Sequence, residues 1–483
     1  MKRFLACMMT VCMAAVLLAG CGNKDSAKDD SINLPTLRVF FGDDAASDDN
    51  MVAEAVSKIT AERIGANVEF IFFGPGEYSD KIPLLLASNE KMDLGFDANW
   101  INYAPNARKG AYLPLNDYLQ GKNKPLYDIM EPIFWQGATV DGKIYGVPTF
   151  KEMAGQLALY AETEFLEDNG IDASKIKTLA DAEVILAALK KYPERPGFMI
   201  DSNNNHQMLG YFSEYAEIDK LAHVKLDEPE TVVNYYETQT YKDFVYLMRD
   251  WFNKGYIASD VVTIKDANRY MQTDGNRIMG MSFVGYAPYN EISMKNEVGV
   301  DLTPIKITDP LILNSTGSTY CVYKKSANPD LAVDFLQLWN TTPEVKNLIT
   351  YGIEGRHYTL VDGKVRQTPD FRKLYYNQNW RTGNVFISYL LEDDPEDKYE
   401  KYKEWNSSAK IAPIVGFYAD ETGISDKVAA CNAVIKEYSL LLNCGVVDPD
   451  EYLPKFIAAL KSAGSDDVIN SYQEQYATFR AAQ

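Results

Sequence analysis

Leu37-Arg38-Val39-Phe40-Phe41, then Val52, Val56, Ile59 and Ile64 at helical spacing, then Val68-Glu69-Phe70-Ile71-Phe72-Phe73: this stretch decides the fold class. The first run is short and almost wholly apolar, as a buried strand is. Small and acidic residues from Gly42 to Asp49 make a loop. Apolar residues then recur with a helical period until Gly65 stops the helix, and a second strand follows. Strand, helix and strand within about 35 residues form a βαβ unit, so the strands run parallel with helices on the sheet faces.

Working outward, Asp80 to Ser88 predicts another helix and Asp93 to Phe96 another short strand, which makes the first lobe α/β. Lys143 to Pro148, after the hairpin-like Asp141-Gly142, predicts a strand ending where the chain leaves that lobe. Thr178 with Asp181 reads as a capping box opening a helix through Leu189, with Lys190 and Lys191 near its negative end. Glu297 to Ile305 alternates in part and predicts a strand returning between lobes. Ala332, Phe335, Leu336 and Trp339 mark a helix introduced by Asn328-Pro329. Lys427 to Leu442 is again helical, stopped near Gly445, and Asp448-Pro449-Asp450 opens another. The later half is helix-rich.

The N-terminus supplies an address. Lys2 and Arg3 precede an apolar run from Phe4 to Leu17, and Leu18-Ala19-Gly20-Cys21 has the form of a lipobox. The run falls short of the roughly 20 residues a spanning helix needs. Residues 1–20 are therefore expected to be a lipoprotein signal peptide, with Cys21 the lipidated residue (palmitate among its acyl chains) and 21–35 a flexible tether. The expected location is the cell membrane, anchored by lipid alone on the extracellular face. An uncleaved anchor and cleavage without a lipid are the alternatives.

Composition narrows the function. The chain has 483 residues, 48 Lys and Arg against 68 Asp and Glu, and a net charge of −20. That length suits two lobes of roughly 150–250 residues. So acidic a chain repels nucleic acid and anionic lipid surfaces. Beyond the signal and Cys21, only Cys321, Cys431 and Cys444 remain; they read as three buried thiols, a Cys431–Cys444 bridge being the alternative. With only His206, His223 and His357, widely scattered, a catalytic triad or a multi-histidine zinc site is not expected. No cofactor and no metal are called for.

Several passages together resemble the family 1 extracellular solute-binding proteins, the lipoprotein receptors of carbohydrate-importing ABC transporters in Gram-positive bacteria. They are Gly76-Glu77-Tyr78, Met92-Asp93-Leu94, Lys109-Gly110-Ala111-Tyr112-Leu113-Pro114-Leu115, Ile144-Tyr145-Gly146-Val147-Pro148 and Asn328-Pro329. Tyr351-Gly352-Ile353-Glu354-Gly355-Arg356-His357-Tyr358 is similar to the signature of a long-chain subgroup, as are Gly416-Phe417 and Gly445 to Asp450. The resemblance implies an α/β, two-lobed periplasmic-binding-protein-like fold (type II), hinge-linked, with a helix-rich C-terminal region. It places the N-terminal lobe at 36–148 plus about 306–360 and the C-terminal lobe at 149–305 plus about 361–483. It also implies a carbohydrate ligand between the lobes, a permease pair as partner, a monomer, and no enzymatic step.

A neutral sugar offers hydroxyls at its rim and flat C–H faces, and a receptor answers with aromatic platforms and polar groups on loops at strand ends. Asp97, Asn99 and Trp100 follow a strand and combine a carboxylate, an amide and a ring; the matching loop of maltose-type receptors contacts sugar. Glu152, beside Lys151 at the first crossing, matches the position of a family sugar-binding carboxylate. Tyr78, Phe283, Tyr286 and Glu354 complete the candidate ligand-binding set, against core packing for the rings and a helix-capping turn for Glu354. Trp135, Trp380, Trp405 and Phe417 are weaker candidates. A peptide or lipid-precursor receptor of the same fold, and a secreted glycoside hydrolase with paired carboxylates, are the competing functions.

Overall fold

The structure, a computed structural model, describes residues 34–483 except 89, 193–197, 199, 201–213, 265–278 and 283–286. The signal and Cys21 lie outside the described residues, as do Phe283 and Tyr286. Thr36–Phe41 (β1) and Asn67–Phe72 (β2) pair in parallel, Leu37 opposite Val68 and Phe41 opposite Phe72. Asp49–Ile64 (α1) connects them and buries Val52, Val56 and Thr60 on one face. Gly65 ends it in the left-handed conformation at φ 70, its N–H donating to Thr60 O. After Pro75–Ala87 (α2), Leu94–Asp97 (β3) joins β1 on the other side, also parallel.

Two short strands, Thr139–Val140 and Lys143–Ile144, form the hairpin around Asp141-Gly142, and Gly146–Pro148 (β4) follows. The chain then crosses to a second core. Ala158–Glu162 (β5) is central there, flanked antiparallel by Met279–Ser282 (β6) and Leu302–Lys306 (β7). A meander of Tyr215–Glu217, Ala222–Lys225 and Glu228–Asn234 precedes Gln239–Asn253 (α3), which buries Tyr241, Val245, Met248 and Trp251. The chain returns as Thr319–Val322 (β8), which inserts antiparallel between β3 and β4. The first sheet therefore has the order β2-β1-β3-β8-β4, parallel only in its first three strands.

Pro329–Thr341 (α4) and Pro343–Tyr351 (α5) pack against α1 over the first core. Trp339 of α4 is fully buried, with ring centroids 4.7 Å from Tyr320 and 5.9 Å from Phe41. Lys398–Ser408 (α6) follows, and Ser425–Asn443 (α7), Pro449–Ser462 (α8) and Ser465–Ala481 (α9) cover the second core. One apolar cluster holds Leu37 to Phe150, resumes at Tyr320 to Ile349 and includes Tyr375; the other runs from Ala154 to Ile312 and from Ala412 to Tyr476.

The expected strand over Glu297–Ile305 is corrected. A helix, Asn290–Val298, occupies its start, and the strand begins only at Leu302. That strand pairs with β5 inside the second core instead of crossing between lobes. The alternation of Val298, Val300 and Leu302 spans the end of that helix and the turn after it, and only Leu302 belongs to the strand. The capping box forms as read: Asp181 Oδ2 accepts from Thr178 N at 2.9 Å, and Asp181 N donates to Thr178 Oγ1 at 3.2 Å. Cys321, Cys431 and Cys444 are buried, and among the described residues no disulfide joins them. Among the described residues no helix is long and apolar enough to cross a membrane.

Candidate functional site

The carboxyl ends of β1, β2 and β3 point one way, and in open α/β sheets loops at that edge build the site. The loop after β3 carries Trp100, 53% exposed despite its size. Its indole N–H donates to Gly317 O at 2.8 Å and its ring lies 6.0 Å from Phe96, so the exposed ring is held rather than loose. The Arg381 guanidinium lies over Phe96 at 5.6 Å and over the Trp380 ring at 4.4 Å. Lys151 Nζ is 5.3 Å from the same Trp380 ring and 3.9 Å from Glu152 Oε1. Trp100, Phe96, Arg381, Trp380, Lys151 and Glu152 thus form one continuous row from the β3 loop to the first crossing.

The row is pinned to β1. Arg381 donates to Gly42 O and, at 3.3 Å, to Asp43 Oδ1, which also accepts from Gln378 Nε2 at 2.9 Å. Trp380 Nε1 donates to Gln378 Oε1 at 2.5 Å. Burial pushes the Asp43 carboxyl above its ordinary range, and the Arg381 charge opposes that. Asp43 Oδ2 has no protein hydrogen bond among the described residues, which leaves an acceptor to spare beside the guanidinium.

The crossings are tied together and to α6. Thr149 N donates to Ser318 O at 2.9 Å and their hydroxyls lie 2.7 Å apart. Asn406 of α6 clamps the segment after Phe150: its Oδ1 accepts from Met153 N at 2.7 Å and its Nδ2 donates to Lys151 O at 2.9 Å. Burial raises the Tyr402 and Tyr399 hydroxyls of α6, and the Glu152 charge adds to both. Aromatic faces, an amide, two cations and carboxylates are therefore gathered between the cores. Such a set can stack on a flat apolar face and bond several hydroxyls, and no side chain in it is arranged as a nucleophile with its base.

Of the residues singled out in the sequence, the structure brings Trp100 and Glu152 into this row and leaves Asn99 exposed beside Trp100, its N–H donating to Thr316 O at 2.9 Å. Tyr78 and Asp97 serve the first core instead, each 1% exposed. The Tyr78 hydroxyl donates to Phe96 O at 2.6 Å. Asp97 accepts from Ala98 N at 2.7 Å, Asn102 N at 3.2 Å, Asn106 Nδ2 at 3.0 Å and the Tyr112 hydroxyl, so it builds the loop that presents Trp100. Glu354 is exposed in the turn that ends α5; Gly352 there has φ 77, and a Cβ on it would meet His357 Nδ1 at 2.3 Å. His357 in turn bonds Asp48 Oδ2 at 3.0 Å at the start of α1. Trp135 is core, and Trp405 donates to Ala154 O at 3.1 Å. Sequence reading missed Asp43, Arg381 and Asn406. Beside them it singled out Trp380 and Trp405, as weaker candidates.

Residues 54–358 match the family described as bacterial extracellular solute-binding protein, and residues 413–481 match a domain of unknown function. A carbohydrate ABC transporter substrate-binding protein of Streptococcus pneumoniae is 29% identical over 496 aligned positions, covering 99% of this chain and 98% of its own. The polygalacturonan/rhamnogalacturonan-binding protein YtcQ of Bacillus subtilis is 22% identical, over 76% of this chain and 77% of that one. The crystal structure of NgtS, an N-glycan transport solute binding protein of Streptococcus pneumoniae, superposes with a TM-score of 0.83 at 26% identity, covering 92% of this chain and 99% of that one. Its complexes with Man1GlcNAc and Man5GlcNAc superpose with TM-scores of 0.75 and 0.73.

Proposed function

The chain belongs to the bacterial extracellular solute-binding protein family, and on that premise we propose that it is a carbohydrate receptor of an ABC importer. The observation that carries the ligand class is the row from Trp100 to Glu152, an exposed ring and a ring approached by two cations, ending in a carboxylate. An oligosaccharide would stack on Trp100 and Trp380 and hydrogen-bond Asn99 and Glu152. Arg381 stands against Asp43 and Lys151 against Glu152, so the row carries no net formal charge, which suits a neutral glycan.

The crossings at 149–154 and 313–318 would act as the hinge about which the lobes close, and closure stabilises the loaded form. Cys21 would carry the lipid that keeps the receptor at the outer face of the membrane, close to its permeases. Phe283 and Tyr286 would add contacts from the second lobe. The receptor would act as a monomer and return its ligand chemically unchanged.

The test is calorimetric titration of the protein from residue 22 onward with Man5GlcNAc, with an oligogalacturonate in parallel. Saturable binding of Man5GlcNAc with a rise in Tm is expected, as linkage requires, and the glycan should be recovered intact. Binding of the oligogalacturonate alone would replace the neutral glycan by an acidic one. No heat and no Tm shift with either would overturn the carbohydrate assignment.

A further inference from the structure

Lys346 lies within α5 with its side chain wholly out of solvent. An ammonium carries three N–H donors, and three oxygens meet them: Thr350 Oγ1 at 2.7 Å, Asn379 Oδ1 at 2.6 Å and Thr382 Oγ1 at 2.8 Å. All three acceptors are neutral. Burial pushes the ammonium well below the usual lysine range, and among the described residues no carboxylate pairs with it. A lysine buried without an anion is costly, so it persists where its donors hold something in place. The two threonine hydroxyls, 3.0 Å apart, can each turn from acceptor to donor, so the cluster stays satisfied whether the group is ammonium or amine.

Two of the three acceptors belong to one short segment, Asn379 to Thr382, which contains a single 3₁₀ turn. The residues between them are Trp380 and Arg381. We propose that Lys346 is a positioning residue for ligand binding, locking the Asn379–Thr382 turn so that Trp380 and Arg381 stand in the row beside Asp43. Ser388 Oγ adds to the lock, donating to Asn379 Oδ1 at 3.0 Å. Lys346 touches no ligand; it acts through the turn. The proposal rests on the reading of that row as the glycan site.

The test compares K346M, which keeps the stem and loses every donor, with V345A, a cavity variant of the neighbouring residue, which is buried in the first apolar cluster. Hydrogen exchange by mass spectrometry and titration with Man5GlcNAc are measured on the protein from residue 22 onward. K346M should raise exchange over residues 378–384 and weaken binding about tenfold, whereas V345A should lower Tm and leave both unchanged. In a W380A background most of the K346M binding loss should vanish, because the two act in series. Unchanged exchange at 378–384, or a binding loss in V345A equal to that in K346M, overturns the proposal. If wild-type protein binds no glycan, the functional reading fails, and exchange alone decides: loss of protection confined to 378–384 supports the lock, and loss spread over the first core overturns it. Should K346M fail to fold, K346Q, which retains an amide donor, takes its place under the same criteria.

Discussion

Arg108 donates to the carbonyl oxygen of Tyr418 at 2.7 Å, and this bond ties the two cores together on one side of the crossings. The same guanidinium donates to Ala419 O at 2.8 Å and forms a fork with Asp141 at 3.0 and 3.1 Å. Tyr418 packs on the first core while its neighbours Phe417 and Ala419 pack on the second. R108A should therefore cost about 1–3 kcal/mol, the value of charged donors to carbonyls that are then left short of a partner. Urea unfolding with an unchanged slope is the check, and a variant as stable as wild type would remove the tie from the account.

W100A should separate binding from stability. The ring is half in solvent, so its loss removes little core surface but takes away the largest exposed platform of the row. Affinity for Man5GlcNAc should fall about 10- to 100-fold, an aromatic anchor's share of binding, with Tm almost unmoved. Calorimetry and a thermal scan on one sample decide it, and undiminished affinity would exclude Trp100 from the site.

D97N should do the reverse. The carboxylate accepts from two backbone N–H groups, an amide and a phenol, and an asparagine turns one acceptor oxygen into a donor facing donors. A loss of about 1–3 kcal/mol in stability is expected, with weaker glycan binding as a consequence of the loosened Trp100 loop. Equal stability of D97N and wild type would refute the structural role.

Adjacent carboxyls at the start of α1 predict opposite pH responses. A hydrogen bond from the Arg356 guanidinium, helped by His357, holds Asp48 well below the usual carboxylate range. Its stabilisation is present above the ordinary Asp value and drains away as pH falls toward the lowered one. Burial, reinforced by the Asp48 charge, pushes Asp49 up to about 6, so its contribution is complete below the ordinary value and is lost as pH rises through about 6. D48N should flatten the acid limb of a stability–pH profile and D49N the limb near pH 6. Guanidinium unfolding across that range is the measurement, and identical limbs in the variants would show the two groups to be uncoupled from folding.

C21A should release the receptor from cells. Without the thiol there is nothing for the acyl chains to join, so the protein should move from the membrane fraction to the medium, as immunoblotting of both would show. Retention in the membrane would point to a different anchor.

The βαβ unit from Thr36 to Phe72, α4 around Trp339, and the two helices flanking Gly445 were legible because burial of one face leaves a local period of 2 or 3.6 in the chain. The family resemblance was legible for a similar reason, since it is written in consecutive residues. The antiparallel entry of β8 between β3 and β4 was not: Thr319 to Val322 is buried like its neighbours, and direction leaves no trace in a four-residue apolar run. The division of labour among polar residues was hidden as well. Tyr78 and Asp97 follow strands in sequence exactly where rim residues would, yet hydrogen bonds to Phe96 O and Tyr112 draw them inward.

By itself the sequence determined the class of fold and the helices and strands that carry a clear local period. Only tertiary structure decided which side chains form the row. Arg381 meets Asp43 across 338 residues, and Lys346 bonds the turn that carries Arg381 from a helix that periodicity marks only as core. A local pattern reports whether a side chain is buried, whereas the identity of its partner depends on segments brought together by the packing of whole elements, which no window of sequence contains.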